Sequence, residues 1–174
     1  KIADNVLLYD DNGAHAGMMA AELIATGGGK LEIVTPERIL APSVGGINYP
    51  AYFSAFAKAG VAVTPNWRLQ AVRRHGNGLV ATLWSDYGRC QAERSVDQVV
   101  VEAGTLPLED LYFALKPLSK NLGEVDHKAL MNGAPQAVET NPAGRFSLWR
   151  IGDAVASRNI HAAIFDAIRL LKDV

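Results

Sequence analysis

The stretch from Val6 to Val34, VLLYDDNGAHAGMMAAELIATGGGKLEIV, decides the fold. Its first four residues, Val6–Tyr9, are a short apolar run broken by Asp10-Asp11-Asn12-Gly13, which predicts a buried strand and a tight turn. Ala14 to Thr26 are helix formers, with Met18, Ala21, Ile24 and Ala25 on one face and Glu22 on another. Asn12 is the expected cap of that helix. Gly27-Gly28-Gly29 stops it. Leu31–Val34 is apolar again and predicts a second strand. Strand, turn, helix and strand within about 30 residues are one βαβ unit.

Outward from this unit, Thr35–Pro50 is expected to be a loop and Tyr52–Lys58 a short helix. Val61–Thr64 predicts a third strand. Leu69–Arg74, Leu79–Ser85 and Arg89–Arg94 are joined by glycine turns, the signature of an antiparallel meander. Val99–Glu102 (VVVE) is another apolar strand. Leu108–Leu115 predicts a short helix, and Leu118–Gly144 a loop-rich segment. Phe146–Ile151 predicts the last strand, turned by Gly152-Asp153. Ser157 is the expected cap of a helix from Arg158 to Lys172, with Ile160, Ile164, Ile168 and Leu171 along one side. Alternating βα at both ends points to an α/β, Rossmann-like nucleotide-binding fold with a parallel sheet. The antiparallel β-meander adds a third layer.

Composition narrows the function classes. The chain has 174 residues, 49% of them apolar and 20% charged, which suits a folded globular protein. A formal net charge of −1 supplies no basic field for nucleic acid or an anionic membrane. No apolar run approaches the roughly 18 residues of a membrane helix. The single cysteine, Cys90, excludes an intrachain disulfide and a cysteine-based metal site within this chain, and suits a cytoplasmic setting. The first residue is lysine and a strand follows almost at once, so the chain is read as a fragment of a longer protein. His15, His75, His127 and His161 lack metal-ligand spacing.

Three places could carry chemistry. The turn after the first strand is where a dinucleotide site has G-x-G-x-x-G, whose glycines let the backbone turn, let pyrophosphate approach and let helix and strand pack. Here the six positions are Asp10, Asp11, Asn12, Gly13, Ala14 and His15. All three glycines are replaced, a carboxylate stands where a diphosphate must come close, and Gly13 lies off the pattern. An ordinary βα turn and a site of altered geometry both remain open. The second place follows strand two, where Glu37 lies just past the position of a ribose-binding acid and Arg38 could pair with the 2′-phosphate of NADP. A solvated loop is the alternative. The third is Gly152-Asp153, where a carboxylate at a strand end meets a helix start able to face a phosphate. His161 lies in the first turn of that helix.

Three stretches carry a resemblance: VLLYDDNGAHAGMMAAELIA (Val6–Ala25), VVVEAGTLPLEDLYFAL (Val99–Leu115) and RFSLWRIGDAVASRNIHAAIFDAIRL (Arg145–Leu170). Together they resemble the C-terminal NAD/FAD-type region of old-yellow-enzyme-like iron–sulfur flavoproteins. That family includes trimethylamine, dimethylamine and histamine dehydrogenases, N-methylproline demethylase-like proteins and 2,4-dienoyl-CoA reductase. The resemblance implies an N-terminal TIM barrel with FMN and a 4Fe–4S cluster, outside this chain. It implies that residues 1–105 are an inserted NAD(P)-type domain and residues 106–174 the returning part of an FAD-type domain. Gly152 and Asp153 are then the strand-end motif meeting FAD or ADP, with Ile160 and His161 beside it. On the NAD(P) side stand Asp10, Asn12, Gly13, His15 and Arg38, with a degenerate glycine loop that speaks against NAD(P)H.

The resemblance implies an oxidoreductase acting on an N-methylated amine or amino acid, with this segment non-catalytic. Its implied partners are the barrel of the parent chain, a separate electron-transfer protein and a second copy of the parent. Two alternatives are an NAD(P)H-binding domain of a dienoyl-CoA reductase-like enzyme and a non-catalytic scaffold or docking domain.

Overall fold

The computed structural model describes residues 1–171. It divides into two compact units, Lys1–Gly104 and Thr105 onward. The first unit contains β1 (Asn5–Asp10), α1 (His15–Thr26), β2 (Lys30–Thr35), α2 (Tyr49–Ala59) and β3 (Ala62–Pro65). These are followed by β4 (Arg68–His75), β5 (Gly78–Ser85), β6 (Cys90–Val96) and β7 (Gln98–Glu102). β3-β2-β1-β7 form a parallel sheet, and β4-β5-β6 an antiparallel one.

β1 is central, and its residues alternate between two cores. Val6 and Leu8 pack with Met18, Ala21 and Ile24 of α1 and with Phe56 of α2. Leu7 and Tyr9 pack with Ala81, Leu83 and Val96 of the meander. Burial on both faces explains why VLLY is a continuous apolar run and not an alternating one. The order is helices, parallel sheet, antiparallel sheet: the expected three-layer α/β fold. Glu32 on β2 accepts from Nε of Arg94 on β6 at 2.9 Å and from the hydroxyl of Thr64 on β3 at 2.7 Å.

Two local expectations shift here. α2 begins at Tyr49, three residues before the expected Tyr52, with Pro50 in its first turn. Proline is tolerated there because the first helical N–H groups have no intrahelical acceptor. Asn12 does not cap α1. Ala14 holds the cap position without a side-chain bond, and the Asn12 amide turns to Glu102.

The second unit contains α3 (Asp110–Leu115), α4 (His127–Asn132) and α5 (Ile160–Leu171), with short 3₁₀ turns at Lys116–Leu118 and Gly152–Ala154. The stretch expected to be loop-rich contains α4, capped by Asp126, whose Oδ1 accepts from the N–H groups of Lys128 and Ala129 at 2.9 Å. The expected strand Phe146–Ile151 does not form. A strand needs a neighbouring ladder, and among the described residues this segment makes only one bridge, Ser119 to Phe146. Asn121 supplies the missing pairing: its Oδ1 accepts from the N–H of Leu148, and its Nδ2 donates to the Leu148 carbonyl, each at 2.8 Å. Ser157 is not the cap of α5. Asn159 is, through its Oδ1 and the N–H of Ala162 at 2.9 Å, while Ser157 pairs with Thr105. The expected last residue of that helix, Lys172, lies outside the described residues.

Candidate functional site

In an open parallel sheet, ligands bind beyond the carboxyl ends of the strands where the strand order reverses. Here that is the end of β1, with β2 on one side and β7 on the other. Asp10 and Glu102 face each other in register at that edge. Asp10 is only 1% exposed. Its Oδ1 accepts from the backbone N–H groups of Gly13 at 2.9 Å and Asn12 at 3.1 Å. Its Oδ2 is buried and has no partner. Burial raises the Asp10 pKa above the ordinary carboxylate value; the N–H bonds of Gly13 and Asn12 oppose the rise, and Glu102 and Asp11 add to it.

The rest of the turn closes around this carboxylate. Glu102 Oε1 accepts from the Asn12 amide at 3.2 Å and from the N–H of Gly104 at 2.8 Å. Gly13 adopts φ of +65°, and a Cβ there would lie 2.7 Å from Cδ of Pro42. Its carbonyl accepts from the N–H of Ser43 at 3.0 Å, so the segment after β2 lies over the turn. Tyr9, the residue before Asp10, has its phenol pKa raised by burial and then by Asp11.

His15 is placed differently from its expected role. It is the first residue of α1, but it is exposed, with Nδ1 3.4 Å from the Tyr52 hydroxyl. The residue pressed against β1 is Gly17, where a Cβ would lie 2.7 Å from Cγ and Oδ2 of Asp10. The close helix–strand approach therefore falls two residues later than the fingerprint spacing predicts. Sequence reasoning missed Gly17, Pro42 and Glu102. The signals for them were a glycine on the buried face of α1 and a carboxylate closing an apolar strand. The side chains of Glu37 and Arg38 are exposed beyond β2, while the Glu37 backbone N–H donates to the buried Thr35 hydroxyl at 3.2 Å.

The residues of the turn do not fit a dinucleotide pyrophosphate. The N–H groups of Asn12 and Gly13 already bond to a carboxylate, and the surrounding charge from Asp10, Asp11 and Glu102 is negative.

The Gly152-Asp153 region lies in the second unit. Gly152 is buried with φ of +56°, and a Cβ there would lie 2.9 Å from Cβ of Ala163 on α5. Only glycine fits that approach and that backbone. Its N–H donates to Oδ2 of Asp166 at 3.0 Å, and Arg158 also pairs with Asp166. The Arg158 hydrogen bond, then the Gly152 N–H, hold the Asp166 carboxyl below its ordinary value. Asp153 is exposed and accepts from the N–H of Arg158 at 3.4 Å. Ile160 and His161 are exposed in the first turn of α5. Asp153 thus presents an exposed carboxylate beside a helix start that Asn159 caps. The indole N–H of Trp149, three residues before Gly152, is buried without a partner.

Among the described residues no group of three or more metal-ligating side chains converges. Nor among the described residues is any helix long and apolar enough to cross a membrane.

No family model matches the chain. Among curated proteins it is 52% identical over all 174 residues to the "Probable N-methylproline demethylase" of Rhizobium meliloti, of which it covers 26%. It is 43% identical over 97% of its length to the "N,N-dimethylglycine/sarcosine dehydrogenase" of Chromohalobacter salexigens, of which it covers 25%. Among solved structures, histamine dehydrogenase from Rhizobium sp. 4-9 matches 97% of the chain with a TM-score of 0.66 at 19% identity. The chain covers 22% of that structure, and the likeness concerns the fold. The chain thus spans about a quarter of the length of the curated relatives it matches. Through both units the chain therefore resembles the corresponding quarter of the old-yellow-enzyme-like N-methylproline demethylase and dimethylglycine/sarcosine dehydrogenase.

Proposed function

We propose that the whole protein is a flavin-dependent oxidoreductase acting on an N-methylated amine or amino acid, and that this chain is its non-catalytic nucleotide-type region. The observation that carries the reading is the 52% identity to an N-methylproline demethylase across both units. In this reading the substrate's hydride goes to FMN in an N-terminal barrel, and electrons leave through a 4Fe–4S cluster to an acceptor protein. Residues 1–105 are the NAD(P)-type domain and take no NAD(P)H, for the reasons given by Asp10. Residues 106–174 complete an FAD-type domain. Gly152 shapes the 3₁₀ turn before α5, Asp153 accepts from a sugar hydroxyl, and Ile160 and His161 flank the phosphate of FAD or ADP. The parent assembles with a second copy of itself.

The test uses the full-length protein under anaerobic conditions. N-methylproline, dimethylglycine and sarcosine are added in turn while flavin absorbance is followed. Bleaching by one of them is the expected result. Bleaching by NADPH alone would overturn the reading and favour the dienoyl-CoA reductase-like alternative. A parallel titration with NADH and NADPH should show no binding up to millimolar concentration. A micromolar constant, about −8 kcal/mol, would mean that the altered turn still works. Asp153→Ala should lower the FAD or ADP retained after gel filtration, and full retention would remove that residue from the site.

A further inference from the structure

We propose that the β1–α1 turn is a built anion cradle whose resident anion is the chain's own Asp10 carboxylate, standing where a ligand's phosphate would stand. This rests on the reading of the first unit as a nucleotide-type domain without NAD(P)H, and supplies the physical reason for it.

Three observations converge. The N–H groups of Asn12 and Gly13 point to one oxygen, Oδ1 of Asp10, at 3.1 and 2.9 Å. Consecutive backbone N–H groups aimed at one point are the anion-binding element of a phosphate turn. The second oxygen, Oδ2, is unpartnered in a side chain that is 1% exposed. It lies against Gly17 in the opening turns of α1. α1 has twelve residues, no acidic side chain in its first turn and no side-chain cap at Ala14. The negative charge that a helix N-terminus favours is thus supplied from the strand beneath it. Gly17 makes the room: its missing Cβ leaves space for a carboxylate.

The cradle is also sized by its lid. Pro42 seats against Gly13, and Ser43 donates to the Gly13 carbonyl. An emptied cradle would therefore admit a small carboxylate or similar oxyanion. Asp10→Gly removes the resident anion and leaves the two N–H groups facing a carboxylate-sized space.

The test compares hydrogen exchange of the peptide spanning β1 and the start of α1, in the full-length protein, for wild type, Asp10→Gly and Asp10→Asn. Sodium formate is the probe, and sodium chloride at equal ionic strength the control. Exchange in Asp10→Gly should be about tenfold faster than in wild type. Formate should bring it back to within about twofold, chloride should not, and wild type should respond to neither. Unchanged exchange in Asp10→Gly, or equal effects of formate and chloride, would overturn the proposal. If Asp10→Gly does not retain flavin and fold, Asp10→Asn decides. It fills the space and keeps an oxygen acceptor for the two N–H groups, so exchange that formate leaves unchanged supports the cradle, and exchange that formate slows overturns it. Failure of formate rescue while wild type still ignores NADH sinks the cradle alone. Micromolar NADH binding by wild type instead sinks the reading of the first unit.

Discussion

At the scale of single residues, Asp10 and Gly17 form one device. Asp10 was legible as a carboxylate in place of a fingerprint glycine, and its conflict with a diphosphate followed from charge alone. Its burial, its hold on the turn and its fit against Gly17 were not legible. They depend on α1 starting at His15 with that side chain turned outward. A methyl group at Gly17 would press on the carboxylate at 2.7 Å. Gly17→Ala should cost about 1–3 kcal/mol of stability. Combining it with Asp10→Gly should restore part of the loss, a coupling of about 0.5–3 kcal/mol in a double-mutant cycle read by urea unfolding. Additive effects would show that the two residues do not share the space. Asp10 also sets a pH dependence. Burial raises its folded pKa above the unfolded value, so the native state holds the proton longer. Its contribution to stability is then fully present below the ordinary carboxylate pKa and is lost as pH rises through the folded value. As pH rises above about 4, wild type should lose stability relative to Asp10→Asn. A difference independent of pH would contradict the raised pKa.

At the scale of elements, the first unit was readable because each strand and helix obeys a local pattern. β1, α1, β2 and the meander lie within a residue or two of their expected positions. The α5 cap was misplaced because Ser157 and Asn159 are both good capping residues, and only geometry chooses between them. Asn159→Ala should cost about 1 kcal/mol and Ser157→Ala less, measured as exchange at the start of α5. The reverse order would return the cap to Ser157. The segment Phe146–Ile151 failed as a strand for a different reason. Its pattern fits a strand, but pairing is a property of two segments, and here a side chain does the pairing. Asn121 is 1% exposed and also donates to the Glu124 carbonyl at 3.0 Å. Asn121→Ala leaves the backbone groups of Leu148 unmatched and should cost about 2–3 kcal/mol. A loss below about 0.5 kcal/mol in urea unfolding would show that water replaces the amide freely.

At the scale of the whole molecule, the two units differ in kind. Every buried apolar side chain among the described residues belongs to Lys1–Gly104. Among its described residues, the second unit buries only Ser119, Asn121 and Gly152. Many of its apolar residues are exposed instead: Leu106 and Leu108 are each 90% exposed and Ile160 73%, and Ile164, Phe165, Ile168 and Leu171 of α5 are about half exposed. The stripe along α5 was legible in the sequence as an amphipathic face, but a stripe says nothing of whether this chain supplies its cover. Roughly 70 residues without a buried apolar core lack the term that offsets chain entropy. Expressed separately, residues 1–104 should unfold cooperatively with an enthalpy of about 60–80 kcal/mol, as a domain of that size does. Residues 105–174 should show no cooperative heat absorption and should bind an apolar dye such as ANS already at room temperature. A sharp calorimetric transition in the second piece, without dye binding, would mean that its polar ties suffice: Asn121 to Leu148, Asp166 to Gly152 and Arg158, and Arg150 to Glu109. The outcome separates a unit that folds by its own contacts from one that needs further surface to bury its apolar residues.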